Sequence, residues 1–265
     1  MNRFRHAALH GAASLTGWLR LFFARPGFAL QLLGRRWSYF TSRRFDGEMP
    51  TPDGFLIKTP DALISYWSMF VERELADDAW IDALKSADRP LVVDVGANVG
   101  LFSHMVYQLQ PQADIVAFEP LPALHQDLMA LARRTGMKLD LRAKAAGREP
   151  GEALLESPHG YDGVSRICVS GKPAGQTCRV EVSTLDQELA GREILLMKMD
   201  VEGYECEVIA GATSVLARTN FLIIEAQTPE HREAITAALG SGWARQKLGS
   251  SDYLFSRLSV AGLGP

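Results

Sequence analysis

Three short stretches carry most of the chemical content of this chain. Asp94-Val95-Gly96-Ala97-Asn98-Val99-Gly100 places two glycines four residues apart directly after an acid. Glu119-Pro120 begins 23 residues after Gly96. Lys198, Asp200, Glu202 and Glu205 crowd one cation and three acids into eight residues. Paired glycines after a strand permit a tight turn and let a ligand approach the backbone closely. The spacing is G-x-x-x-G, with Asn98 where a dinucleotide site needs its middle glycine, and no G-x-x-x-x-G-K-[ST] follows. A pyrophosphate cradle and a P-loop are therefore both disfavoured.

An acid about 20 residues beyond such a turn is placed to accept hydrogen bonds from ribose hydroxyls. Glycine turn plus ribose acid, without a phosphate site, implies a phosphate-free nucleoside ligand. Asp94 would oppose a phosphate but can hold an ammonium, directly or through water. S-adenosylmethionine combines a ribose, an ammonium and a sulfonium and has no phosphate, so it is the expected cofactor. Asp94, Gly96, Ala97, Asn98, Gly100, Glu119 and Pro120 are the expected cofactor-binding residues. The bland alternative for the turn is a structural strand-to-helix connection.

In the second cluster, Asp200 and Glu202 point the same way if the chain is still extended there. Glu202 and Glu205 can instead be first-turn acids at a helix N-terminus, and for Glu205 that structural reading is preferred. Glu225 closes the run Leu222-Ile223-Ile224-Glu225 on the same rim, as a binding residue or as a partner for Lys198. The expected catalytic residues are Asp200 or Glu202, as a base or a hydroxyl-binding group, with Lys198 tuning their charge. His104 is a second candidate base, although a lone helical histidine more often belongs to the surface or core. A divalent cation between Asp200 and Glu225 is an alternative without a supporting histidine cluster, and no metal site is expected.

These residues need elements to hold them. Leu91 to Val95 reads as a strand buried on both faces, followed by a glycine turn and a helix through Leu109. Ile115 to Phe118 and Leu139 to Ala145 are further strands, with a helix over Leu121 to Arg134 between them. Ile194 to Met199 and Phe221 to Glu225 are strands, each followed by a helix (Tyr204 to Leu216, Glu230 to Leu239). Trp243 to Leu248 and Tyr253 to Leu258 form a final hairpin. Such alternation predicts an α/β fold with a doubly wound, mostly parallel sheet, a C-terminal antiparallel hairpin and a helical N-terminal extension. Its ligands sit beyond the carboxyl ends of the strands, where strand order reverses. Asp61 is expected to cap a helix through Tyr66, Phe70 and Leu75, with a second around Trp80 to Lys85. Gly147 to Val182, richer in Gly, Pro and Ser, reads as a hairpin or a substrate-facing insertion.

The 265 residues are 47% hydrophobic and 22% charged, which excludes collagen-like and disordered classes. Three cysteines without a CxxC pair argue against a disulfide framework or a structural zinc site, and fit a reducing, cytoplasmic setting. No apolar run is long enough to span a bilayer. Charge is unevenly spread. The first 45 residues hold eight arginines and no acid, so a net charge of -3 leaves the remainder at -11. Bulky apolar residues interleave those arginines, with Pro26 and Gly27 breaking the segment into two helices. Three readings stay open for residues 1–45: a packed appendage, a targeting peptide, or peripheral contact with an anionic membrane. Nucleic-acid binding is not expected, because the body is acidic. Composition places the extension at residues 1–48 and the main domain at 49–260, with its cofactor-binding core at about 91–226; Met49 to Gly54 reads as a turn or linker.

The motifs VVDVGANVGLFS, VAFEP, STLD, LLMKMDVEGYECEVIAGA and LIIE, in this order, resemble the FkbM family of S-adenosylmethionine-dependent methyltransferases. The match spans about residues 91 to 226, and Pro52 to Gly54 is similar to how such domains begin. The resemblance implies a Rossmann-like class I methyltransferase that methylates a hydroxyl oxygen on a sugar, glycan or polyketide-like small molecule. It also implies that the glycine turn and Glu119 bind the cofactor, and that Thr184-Leu185-Asp186 is structural. Two departures stand out. Only Glu72 or Glu74 near Phe70 corresponds to the family's acidic-aromatic element, and the insertion matches loosely around Gly163 to Ser165. Two rivals remain: a catalytically inactive adenosyl-ligand-binding or membrane-associated partner protein, and an NAD(P)-dependent oxidoreductase. The latter is disfavoured by Asn98 and by the absence of a Tyr-x-x-x-Lys relay.

Overall fold

The computed structural model describes residues 11–42, 45, 47–157, 165–168, 176–189 and 191–261. The chain divides into two compact units, Met1–Ala76 and Asp77–Pro265. The first opens with helices α1 (Gly11–Ala24) and α2 (Pro26–Ser42), separated at Arg25. Proline at the first position of α2 cannot continue the preceding helix but suits the start of a new one. Strands β1 (Met49–Pro50) and β2 (Leu56–Ile57) then form a small hairpin, so the expected turn at Met49 to Gly54 lies inside paired structure. Helix α3 (Pro60–Tyr66) continues into a π-helical stretch, Trp67–Glu72, closed by Arg73 in the left-handed region.

The cap of α3 is Thr59, whose hydroxyl accepts from the Ala62 amide, and not Asp61 as expected. Thr-Pro supplies an N-cap and a proline at the first helical position, which leaves Asp61 inside the first turn. The helix also ends before Leu75. Packing explains why this unit runs to Ala76, past the composition boundary at 48/49. Tyr66 meets Phe28 edge-on at 6.0 Å and stacks on Phe70 at 4.6 Å. Arg36 lies over the Trp67 ring at 4.3 Å, and a side chain on Gly17 would strike the Val71 carbonyl. The arginine-rich helices are thus built onto residues 49–72, and the charge change at Asp46 marks no packing boundary.

The second unit begins with α4 (Asp78–Ser86) and is organised on a seven-stranded sheet. Its strands are β3 (Leu91–Val95), β4 (Asp114–Phe118), β5 (Leu139–Arg142), β10 (Ile194–Met199), β11 (Thr219–Glu225), β12 (Trp243–Lys247) and β13 (Asp252–Arg257). They lie in the order β12-β13-β11-β10-β3-β4-β5. The five strands from β11 to β5 are parallel, and β13 and β12 add the antiparallel hairpin. Helix α5 (Leu101–Leu109) connects β3 to β4, and α6 (Pro122–Thr135) connects β4 to β5. Every residue of β3 is buried, as a continuous apolar strand in a central position requires. From β3 the chain winds toward β5, and from β10 toward β11, so strand order reverses between β3 and β10.

Three expected elements are subdivided. The strand expected over Leu139 to Ala145 ends at Arg142, and Ala145–Ala146 forms β6 in a separate four-stranded sheet. That sheet also contains β7 (Gly151–Ser157), β8 (Arg166–Ile167) and β9 (Gln176–Ser183), in the order β6-β9-β7-β8. The insertion is therefore an antiparallel β7–β9 hairpin with two short additions. Gly163 and its neighbour 164, in the loosely matching part, lie outside the described residues. Helix α7 (Leu185–Glu188) leads toward β10, and after it the helix expected over Tyr204 to Leu216 is two helices, α8 (Glu205–Ala210) and α9 (Thr213–Leu216). They part at Gly211, where a Cβ would lie 2.0 Å from the Gly147 carbonyl oxygen. Helix α10 (Pro229–Leu239) joins β11 to the final hairpin.

Candidate active site

The reversal between β3 and β10 brings the first and third chemical stretches together. After β3 ends at Val95, the Gly96 and Ala97 amides both donate to the Phe118 carbonyl, which turns the chain toward α5. Gly96, Asn98 and Gly100 all have positive φ (82°, 53° and 79°). Asparagine tolerates the left-handed region better than other residues with a side chain. The Asp200 amide donates to the Val95 carbonyl at 3.0 Å, and a Cβ on Gly96 would sit 2.0 Å from the Asp200 carbonyl oxygen. The glycine turn and the acidic loop are thus stitched together through their backbones.

Glu119 leaves the end of β4 as expected and is buried. Its Oε2 accepts from the Asn98 amide and its Oε1 from the Leu121 amide, each at 2.8 Å. Burial pushes its carboxyl up to about 7, against the opposing pull of those two amides. The acid therefore shapes the turn, and each carboxylate oxygen keeps acceptor capacity beyond one amide. Ala97 and Gly100 are buried, whereas Gly96, Asn98 and Pro120 are half-buried and form the accessible part of this half. Asp94 is 0% exposed. Its Oδ2 accepts from Ser103 on α5 at 2.6 Å, and its Oδ1 is buried without a hydrogen-bond partner among the described residues. Burial raises its carboxyl, and Lys198 and Ser103 oppose that rise.

On the other side, Lys198 is buried on β10, beside Asp94 in the strand register. Its Nζ donates to Asp200 Oδ2 at 2.9 Å. Burial disfavours this ammonium, but the Asp200 and Asp94 carboxylates outweigh it and hold the group above its ordinary value. Past Met199 the chain is not extended. Glu202 adopts φ 56°, a conformation that costs of order 1 kcal/mol or more in a residue with a Cβ. Asp200 and Glu202 nevertheless converge, because this turn, and not strand alternation, brings them around. Carboxylate oxygens of Asp200, Glu202 and Glu225 lie within 4.8 Å of one another. Three acids so close can bind hydroxyls, an ammonium or a shared cation.

Two residues that hold this rim were not singled out from the sequence. Gln227 Nε2 donates to Glu202 Oε2 at 2.9 Å and to Glu225 Oε2 at 3.3 Å, and Ser251 Oγ donates to Glu225 Oε1 at 3.1 Å. Gln227 lies two residues beyond Glu225, a spacing that offered a weak clue; Ser251 comes from the β12–β13 turn and offered none. Glu205 is structural, as preferred: 1% exposed, it accepts from the Val201 and Gly203 amides and lies 3.1 Å from His231 Nε2 on α10. Burial raises its carboxyl to about 7, and burial lowers His231. His104 is wholly buried in α5. The Thr184-Leu185-Asp186 step is also structural. Thr184 caps α7, Leu185 is buried, and Asp186 accepts from the Ser214 and Val215 amides at the start of α9. Glu72 and Glu74 are held within the first unit by Trp67 Nε1 and the Ser68 hydroxyl.

The family model of the FkbM methyltransferase domain matches residues 94–246, from Asp94 in β3 to Gln246 in β12. The chain belongs to this family. The FkbM domain thus covers the glycine turn, Glu119, the Lys198–Glu205 loop and the rim residues Glu225 and Gln227. Among relatives, methyltransferase sdnD of Sordaria araneosa is 26% identical over 177 residues, covering 54% of this chain and 68% of that protein. Hexuronic acid methyltransferase AglP of Haloferax volcanii is 28% identical over 133 residues, covering 50% of this chain and 54% of that protein. Methyltransferase 1 of Beauveria bassiana is 27% identical and covers 54% of this chain and 66% of that protein. Residues before Asp94 fall outside the matched FkbM domain.

Proposed function

We propose that this chain transfers a methyl group from S-adenosylmethionine to a hydroxyl oxygen of a sugar, glycan or polyketide-like small molecule. The observation that carries this reading is the junction at the strand reversal, where Gly96 packs on the backbone of Asp200. It puts the glycine turn, which we read as the nucleoside side, beside three carboxylates. The donor set fits the cofactor: Glu119 offers acceptors for ribose hydroxyls, Asp94 Oδ1 is a buried acceptor in need of a donor, and these carboxylates suit a cation. When bound, S-adenosylmethionine supplies a methyl carbon already activated by sulfonium.

The chain's own task is to align the acceptor and take its proton. Alignment contributes several kcal/mol, and a positioned base roughly 10²- to 10⁴-fold in rate. Asp200 or Glu202 takes the hydroxyl proton or holds the hydroxyl. Lys198 Nζ donates to Asp200 Oδ2, which keeps that side chain oriented. The charge of Lys198 is spent on Asp200 and Asp94, so the rim presents net negative charge. A neutral polyol suits it better than an anionic acceptor. The Haloferax relative is named for hexuronic acid, which supports a sugar class while this rim argues for an uncharged member of it.

A thermal-shift titration with S-adenosylmethionine, S-adenosylhomocysteine and NAD(H) tests the reading. A ligand at about 100 times its Kd adds roughly 2.7 kcal/mol, which moves the midpoint of a domain this size by about 5 to 10 °C. Shifts with the first two ligands and none with NAD(H) are expected. A shift with NAD(H) alone, or with none of the three, contradicts it.

A further inference from the structure

The first unit carries a feature that methyl transfer does not use. Leu19 and Phe23 on α1, and Leu30, Leu33 and Trp37 on α2, are exposed large apolar side chains, with Phe23 at 81% and Trp37 at 71%. Their spacings are helical: four apart on α1, and three then four apart on α2. Each set therefore forms one row along its helix. The other face of α2 is already satisfied, since Ala29 and Leu32 are buried and Arg36 lies over Trp67. These outer rows are thus not required by the unit's own core. Exposed leucine, phenylalanine and tryptophan in rows along both helices suit an interaction surface.

Charge identifies the partner. Arg20 and Arg25 are exposed beside these rows, and the first 45 residues contain eight arginines and no acid. No described helix is long and apolar enough to cross a membrane. Arginines flanking an apolar row with an exposed tryptophan suit a helix lying in the interface of a bilayer, with the ring at headgroup level. We infer that α1 and α2 dock the protein on an anionic lipid surface, with Phe23, Leu30 and Trp37 inserted and Arg20 and Arg25 facing the headgroups.

Co-sedimentation of the full chain with equimolar phosphatidylglycerol–phosphatidylcholine vesicles, and with phosphatidylcholine alone, tests this at 0.15 M salt. Binding to the anionic vesicles and little to the neutral ones is expected. Phe23→Ser with Trp37→Ser should lower partitioning roughly tenfold or more. Arg20→Gln with Arg25→Gln should lower it roughly fivefold per arginine. Because all four side chains are exposed, unchanged thermal melts will show that the variants fold. The inference is overturned if the wild-type chain stays in the supernatant with anionic vesicles, or if the serine variant sediments like wild type. It is equally overturned if sedimentation velocity shows a dimer that the serine variant dissociates while no vesicles are bound; the rows then join two copies of the chain.

Discussion

Glu119 and the three acids of the opposite rim are held by different means. Beyond β3 and β4, Glu119 is fixed by two backbone amides, and the turn it shapes is built from Gly96, Asn98 and Gly100. Beyond β10 and β11, Asp200, Glu202 and Glu225 are held by side chains, namely Lys198, Gln227 and Ser251. Backbone amides are present whatever the neighbouring residue types, so the first half makes a site whose shape is hard to vary. Side-chain partners can be exchanged one at a time, so the second half can change its acceptor without disturbing the first. This division suits the proposed reading, in which the cofactor is constant and the acceptor varies.

The largest effect expected to sharpen the contrast is on turnover. Asp200→Asn removes one of the two proposed proton acceptors on the side-chain-held half and should lower the methylation rate roughly 10²- to 10⁴-fold, with cofactor affinity nearly unchanged. A single-turnover assay with a hydroxylated acceptor reads this, and full activity would remove Asp200 from the chemistry. Next comes Gly96→Ala. A Cβ there meets the Asp200 carbonyl at 2.0 Å and the residue sits at φ 82°, so a loss of about 2 kcal/mol or more is expected in urea melts. An unperturbed melt would mean that the two loops are not locked together.

A pH series breaks the halves apart in another way. Glu119 and Glu205 are both raised by burial to about 7. Each binds a proton more readily folded than unfolded, so their contribution to stability is complete below their ordinary range and is lost as pH rises through about 7. The ligand-free protein should therefore become less stable from pH 5 to 8. On the proposed reading the ribose is held by ionised Glu119, so cofactor affinity should rise over the same interval. Parallel trends in melts and titrations would contradict this assignment. The smallest effect is Asp186→Ala, which removes the acceptor for the Ser214 and Val215 amides and should cost about 1 kcal/mol without changing cofactor affinity.

The same contrast explains what could be read from the sequence. The Gly96 turn, Glu119 and the strands β3, β4, β10 and β11 were legible because they depend on local backbone demands and on continuous apolar runs. The Arg25 break was legible because proline forces it. By contrast, the split at Gly211 depends on the distant Gly147 carbonyl, and the extent of the first unit depends on Tyr66 and Trp67 meeting Phe28 and Arg36. Gln227 and Ser251 acquire meaning only once the final hairpin lies beside β11. Even Asp200 and Glu202, whose convergence was expected from strand alternation, meet through the left-handed turn at Glu202. Contacts between residues far apart in sequence leave no periodic trace.

The central claim is that the backbone-held half binds the adenosyl ligand and the side-chain-held half does not. Calorimetric titration of S-adenosylhomocysteine into wild-type, Glu119→Gln and Asp200→Asn protein tests it directly. Loss of a charged acceptor for the ribose should weaken Glu119→Gln about 10- to 100-fold, while Asp200→Asn should bind within about twofold of wild type. Equal affinities for wild type and Glu119→Gln, or a loss confined to Asp200→Asn, would contradict the account.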